Sequence, residues 1–410
     1  MTEDVRVEFN WRRNLAILWF AQFIAMVGLG AGMPVFPLFV RELGVMDPEQ
    51  SQLWTGFIFS APFVTSLFAT PIWGALGDRY GRKAMTVRAI IGLVLSYVLI
   101  GCVQSVWLLL LVRFLQGAIS GFIASTLALV SSTTPEKNNG YAIGILQSSL
   151  PAGMVIGPAL GGWIADMIGV REVFFTIAVL CVISGLVVWA FVRDSGAHLD
   201  PNRKAPGLRE NIRFVASDPA LRRILLCITL VQSGVVFVGP VFTFFVESLG
   251  APPDRVATLT GVLIGSAGLA MAIATPLWGR QSDKMGSRHV IRLVSLPAAL
   301  FALLPAFAWD YMQLFPLRVA MGIFASGLMP TLYGGLSKRS PEKARGAIMG
   351  LGSSANLLAN LLSPMLCGII SSSLGMRWAV GAPALMFLAV YFVSGGEERP
   401  PLTVPHPIKK

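Results

Sequence analysis

The chain is divided into apolar runs about as long as a lipid bilayer is thick. Crossing about 30 Å of hydrocarbon at 1.5 Å per residue takes about 20 residues of helix. Runs of this kind cover 14–40, 52–74, 84–103, 106–131, 140–165 and 172–192, then 221–247, 256–279, 289–308, 310–335, 345–371 and 376–394, twelve in all. Inside a bilayer every backbone N–H and C=O must be bonded within the protein, so such runs form helices. The sequence has none of the short alternating segments of a membrane β-barrel. Of the 410 residues, 54% are hydrophobic and 13% charged, too little charge to cover soluble domains and too much apolar surface for disorder. Four cysteines do not make a disulfide-stapled secreted fold. The first thirteen residues are polar and lead into the first run without a clear cleavage site, so that run is expected to be retained as a helix.

The formal charge of +11 arises from 32 basic against 21 acidic residues. In a chain this apolar it reports topology rather than nucleic-acid binding. With both termini in the cytoplasm, 26 of the 32 lysines and arginines fall on the cytoplasmic side. Only Arg41, Arg171, Arg255 and Arg377 fall outside, and Arg113 and Arg318 lie within spans. The expectation is a multi-pass protein of the inner (cytoplasmic) membrane.

The chain repeats itself. Segment 69–81, ATPIWGALGDRYG, returns as 274–286, ATPLWGRQSDKMG, at an offset of 205 that also relates Arg113 to Arg318 and Gly117 to Gly322. An offset of 206 relates Pro34 to Pro240, Pro158 to Pro364, Gly140 to Gly346 and Gly144 to Gly350. We therefore expect an all-α membrane fold of two pseudo-symmetric six-helix bundles, 1–192 and 221–410, with substrate held between them near the midplane. Segment 193–220 links them; Leu208, Ile212 and Val215 suit a short amphipathic helix, and a solvated linker fits as well.

Three motifs carry a mechanism. Gly74, Asp78, Arg79, Gly81, Arg82 and Lys83 form a turn at the membrane surface between the second and third helices. Glycines relieve the tight backbone, and the cations call for an acidic partner, Glu136 in the next cytoplasmic loop. Such a cluster can latch one conformation and release in another. A topology-setting basic loop also explains the cations, but not Asp78 and its copy Asp283. In the fourth helix Arg113 lies inside a span, where a charge must be paired or hydrated, so it is expected to face a water-filled cavity unless it is bonded to a neighbouring helix. In the fifth helix Ser149, Gly153, Gly157 and Gly161 make a stripe at every fourth residue, with Pro158 and Gly162 beside it. The stripe admits close approach of another helix, the eighth being the expected partner through Gly261, Gly265 and Gly268.

Together these motifs resemble the signature motifs of the major facilitator superfamily, and the first half resembles its bacterial drug:proton antiporter family, the multidrug-resistance exporters with twelve transmembrane helices. The resemblance implies efflux of apolar or amphipathic drugs by alternating access, driven by proton influx. It implies that Asp78 and Arg82 gate the conformation, that Arg113 assists proton coupling, and that Gly153, Gly157, Pro158, Gly161 and Gly162 form a hinge.

A proton-coupled carrier needs a titratable group in its path, yet no helix has an acid near its midpoint. Glu42 and Glu247, near the outer ends of the first and seventh helices, join Asp78 as candidates. A drug cavity should be apolar with a few polar groups. Gln22, Gln147, Gln232, Asn356 and Asn360 are amides within spans, with Phe237, Met329 and Tyr333 as adaptable apolar neighbours. The three histidines and four cysteines form no metal-ligand spacing, and no nucleotide-binding loop or His-Glu-x-x-His occurs. We expect no metal, no cofactor beyond the proton gradient, no enzyme activity, and a monomer whose partners are a small-molecule substrate, protons and the bilayer. A glycolipid flippase or a sugar/metabolite exporter on the same fold is the alternative.

Overall fold

A computed structural model describes residues 11–119, 121–193, 217–340 and 345–394, apart from the side chains at 71, 74, 75, 77–79, 136, 283 and 345–347. The expected amphipathic segment around Leu208, Ile212 and Val215 lies outside these residues. Among the described residues twelve helices are long and apolar enough to span a membrane: α1 (Trp11–Glu42), α2 (Pro48–Thr70), α3 (Arg82–Cys102), α4 (Val106–Thr133), α5 (Asn139–Ile168), α6 (Val170–Phe191), α7 (Pro219–Ser248), α8 (Val256–Ser282), α9 (Ser287–Phe307), α10 (Tyr311–Arg339), α11 (Ile348–Leu374) and α12 (Met376–Val393). An even number of spans puts both ends of the described chain on one face, here the terminal face; the opposite one is the far face. The helix of α2 runs on through the loop motif to Tyr80.

Turn glycines mark the repeat. Gly81 and Gly286 turn α2 into α3 and α8 into α9 with φ of 92° and 84°, while Gly169 and Gly375 do the same before α6 and α12 at 125° and 97°. Left-handed backbone favours glycine, so tight reversals fall at matched places in both halves. Not every span is continuous. The chain leaves helical geometry near Gly121 in α4, between Val236 and Gly239 in α7, and between Ala325 and Leu328 in α10. The breaks in α4 and α10 fall at Gly121 and Gly327, matched at an offset of 206, where glycine weakens a helix.

Packing follows the halves. One apolar core joins Leu18, Phe39, Ile100, Leu109, Leu129, Leu146 and Phe174, with members from Leu15 to Val192 and Ala257 alone from beyond. Two further cores lie in the second half, one holding Ile228, Val294, Leu336 and Phe387 and one holding Phe237, Phe242, Phe245 and Cys367. Trp107, Trp189, Trp309 and Phe392 are exposed on the outside of the bundles, as suits side chains that meet lipid. At the terminal face Asp218 caps α7, accepting from the Ala220 amide at 2.8 Å ahead of Pro219. Its other oxygen accepts from Arg339 Nε at 2.9 Å.

Candidate functional site

The contacts between the halves concentrate at the far face. On the pseudo-two-fold axis Arg41 of α1 donates to Glu247 of α7 at 2.6 Å. The two are repeat-mates, 206 residues apart. A residue on such an axis meets its own copy, so attraction requires opposite charges. Below them the Thr243 hydroxyl donates to the Pro34 carbonyl at 3.1 Å. On one flank α5 crosses α8. Asp166 accepts from the backbone N–H groups of Thr258 at 2.6 Å and Ala257 at 3.3 Å. A carboxylate of the first half thus caps a helix N-terminus of the second, where donors and dipole both favour an anion. On the other flank α2 crosses α11, and the Ser371 hydroxyl donates to Gln52 Oε1 at 2.5 Å.

Both crossings are too close for side chains. A Cβ on Gly56 would meet the Pro364 carbonyl at 2.6 Å and Gly368 at 3.1 Å. The repeat produces the mirror arrangement: a Cβ on Gly261 would strike the Pro158 carbonyl, and one on Gly162 the Ala257 carbonyl. Toward the terminal face, Cβ atoms on Gly140, Gly144, Gly279 and Gly350 would meet nothing within 4 Å. Tyr141 and Ile145 of α5, Ile273 and Leu277 of α8, and Phe68 and Ile72 of α2 are exposed. The molecule is closed at the far face and open at the terminal face. A cleft of about 870 Å³ between the terminal ends of α1 and α5 is lined by Trp11, Trp19, Tyr141, Ile145 and Ser148, among others.

The stripe on α5 has a different partner from the one expected. Added Cβ atoms on Gly153, Gly157 and Gly161 would meet Met26, the Val27 carbonyl and Ala31, all on α1 and all at 2.5 Å. The stripe therefore seats α5 inside its own bundle. The face turned to α8 lies one residue on, at Pro158 and Gly162, a rotation of about 100°. Gly261, Gly265 and Gly268 do pack on α5, against Pro158 and Val155.

Arg113 is 4% exposed and does not front a water-filled cavity. Its Nε donates to the Ile58 carbonyl at 3.0 Å, another nitrogen donates to Gln116, and the guanidinium lies 4.6 Å from the Phe36 ring. Arg318 repeats the ring contact with Phe242, also at 4.6 Å. In the loop motif, Arg82 donates to the Ala128 carbonyl of α4 at 3.1 Å. Gly81 and Lys83 open α3, while the side chains of Asp78, Arg79 and Glu136, and all beyond the backbone at Gly74, lie outside the described residues. Glu42 pairs with Arg171 at 2.6 Å, and Arg171 also holds the Gly101 and Val103 carbonyls. That link lies within the first half, unlike the one made by Glu247.

The candidate cavity residues divide. Gln22 is fully buried, accepting from Thr126 at 2.7 Å and donating to the Leu146 carbonyl at 3.4 Å, so it braces the first bundle. Phe237 is 1% exposed, inside a core. The others in the second half form one chain across three helices. Gln232 of α7 donates to Asn360 of α11 at 3.2 Å, Asn360 to the Asn356 carbonyl at 2.9 Å, and Asn356 to the Tyr333 hydroxyl of α10 at 2.8 Å. Met329 of α10 packs beside Tyr333 on the same core. Among the described residues the side-chain oxygens of Asn356 and of Gln147 on α5 have no hydrogen-bond partner.

The Major Facilitator Superfamily model matches residues 18–256 and 224–410. The chain belongs to the major facilitator superfamily. It is 32% identical to the multidrug resistance protein MdtG of Proteus mirabilis (strain HI4320), across 90% of this chain and 91% of that one. It is 31% identical to the protein of that name from Dickeya zeae (strain Ech586), across 95% of both. Among solved structures, a bacterial homologue of the human lysosomal transporter Spinster, inward-facing and unoccupied, superposes with a TM-score of 0.78 at 17% identity over 94% of this chain and 96% of that one. The human organic anion transporter MFSD10 (TETRAN) superposes at 0.67 with 16% identity over 94% and 99%. This member of the superfamily is therefore a multi-pass membrane transporter rather than an enzyme, and no cluster of metal-ligating side chains occurs among the described residues.

Asp166, Gln52, Ser371, Gly56 and Gly368 belong to none of the sequence motifs. The repeat register holds their signal. Gly56 matches Gly261 at 205, and Gly162 matches Gly368 at 206, so each close crossing appears twice. Asp166 falls opposite the serines 371–372, a charge where the other half has a hydroxyl.

Proposed function

We propose that the protein exports small amphipathic compounds or drugs by alternating access, exchanging them for protons. The observation that carries this reading is the one-sided closure, with latching contacts at the far face and a gap at the terminal face. Two bundles joined by a linker rock about the α5–α8 and α2–α11 crossings, whose glycines let the helices touch without interlocking. The basic bias of the terminal face makes it cytoplasmic, so this is the state that loads substrate from the cell interior of an inner-membrane protein. The Gln232–Asn360–Asn356–Tyr333 chain and Gln147 supply polar points in an otherwise apolar path, which suits loose recognition of varied amphiphiles. The names of the relatives at about 30% identity favour drugs as the cargo.

The carboxylates that bond across the halves are the ones this exchange would use. Glu247 and Asp166 hold the far face shut. Breaking their bonds across the halves opens that face. Asp78, with Arg79, Arg82, Lys83 and Glu136, does the corresponding work at the terminal face. Arg113 holds α2 against α4 so that the halves move as units. The working form is a monomer. Counterflow in proteoliposomes tests the exchange: uptake of a fluorescent cationic drug should rise with an imposed pH gradient and collapse with a protonophore. Transport indifferent to the gradient overturns coupling, and no transport for any member of a drug panel overturns the cargo class.

A further inference from the structure

Away from the pathway, a second cavity of about 350 Å³ opens among the terminal ends of α7, α9, α10 and α12. Four cations line it, Arg223, Arg288, Lys338 and Arg339, and no carboxylate does among the described lining residues. Arg339 is committed to Asp218 behind the wall. Arg223 and Lys338 have no carboxylate within ion-pairing distance among the described residues. Deeper in, the wall is apolar or neutral: Cys227 and Leu332 are each 2% exposed and Ile291 is 7%, with Thr331 beside them. From Arg223 to Cys227 this wall descends about one helical turn into the bundle.

Topology does not require this arrangement. A basic bias asks only for cations on a face, not for four around one hole. The internal repeat supplies the comparison. The positions matching Arg223 in the first half are Ile17 and Leu18, and those matching Lys338 and Arg339 are serine or threonine, 132–134; only Arg288 has a basic counterpart, Lys83. The same fold is thus built once without the cluster.

We propose that this cavity is a binding site for an anionic phospholipid, the phosphate lying between Arg223, Arg288 and Lys338 and the glycerol end resting on the apolar wall. The chemistry is that of basic pockets between membrane helices on the cytoplasmic side. A lipid fits better than free phosphate because the floor offers apolar contact that an inorganic ion cannot use.

The test is titration of the purified full chain in detergent, with bound lipid counted by native mass spectrometry. The probes are phosphatidylglycerol, phosphatidylethanolamine and inorganic phosphate. Phosphatidylglycerol should be retained in preference to phosphatidylethanolamine, and phosphate should compete only weakly. The R223Q/K338Q variant should lose roughly 25-fold in apparent affinity, at roughly fivefold per cation near a membrane surface. The charge-conserving R223K/K338R variant should keep most of it, which separates lost binding from lost folding. K137Q/K284Q, removing exposed cations elsewhere on the same face, should match wild type. Equal retention of the two lipids, an equal loss in K137Q/K284Q, or displacement by phosphate as effective as by lipid overturns the proposal. Binding is read without transport, so the result is independent of the exported cargo.

Discussion

Among single side chains, Asp166 has the most to lose when the far face opens. Its two backbone donors belong to the other half, so separation exposes a helix N-terminus and a carboxylate together. An interaction of this kind is worth about 1–2 kcal/mol. Asp166→Asn should therefore shift the balance of states roughly 5- to 30-fold toward far-face opening. Spin-label distances across α5 and α8 at that face would show it, and an unchanged distribution would refute it. Asp218 provides a different test. Burial pushes its carboxyl up, but Arg339 and the amides of Ala220 and Leu221 outweigh this and hold it below the usual carboxylate range. A carboxyl depressed in the folded state contributes fully above its unfolded value, about 4, and loses that contribution as the pH falls through the folded one. Asp218→Asn should lower stability by about 2–3 kcal/mol at neutral pH, because Arg339 is left half-buried and unpaired. Melts of wild type and variant should converge as the pH drops below about 4.

Between helices, glycine location decides which substitutions matter. Gly162→Leu and Gly261→Leu place side chains into the backbone of the facing half. They should abolish transport while leaving each bundle folded, with the far face held open. Gly144→Leu meets open space here and should leave the far-face closure and the melting temperature unchanged. Gly157→Leu should instead destabilise the first bundle, since its neighbours are Val27, Gly30 and Ala31 of α1. Thermal melts separate this from the interface variants: a loss of melting temperature at Gly162 equal to that at Gly157 would contradict the assignment of the two faces. The stripe is legible in the sequence because i, i+4 spacing is a property of the chain. Its partner is not, because neighbouring faces of α5 both carry small residues and periodicity cannot say which neighbour each one meets. Arg113 shows the same limit. Its place in a span is a matter of sequence, but whether water or the Ile58 carbonyl satisfies it depends on how α2 packs against α4.

For the molecule as a whole, the pseudo-two-fold axis makes a prediction that no isolated helix would. Arg41 and Glu247 are copies of one position, so exchanging their charges should preserve the pair. Arg41→Glu alone brings two carboxylates together and should open the far face; adding Glu247→Arg should close it again. Thiol labelling at far-face positions checks this, and a double variant as open as the single one would exclude the pair as a latch. Span number, the paired halves and the turn at Gly81 are readable in advance because each is enforced locally. Bilayer thickness sets run length, repeat register copies it, and backbone strain selects glycine. The same locality explains why Gln22 and Phe237 resemble cavity residues in the sequence and are not. An amide or aromatic within a span must find a partner, but the chain does not say whether that partner is Thr126, an apolar core or a substrate. The sequence determined a twelve-span membrane protein made of two related bundles, because the bilayer leaves one solution for such apolar runs. Tertiary structure alone decided that the halves meet at the far face, through Asp166, Glu247 and paired glycine crossings. Those contacts join residues about 90 to 320 apart in the chain, and short-range patterning carries no information over that distance.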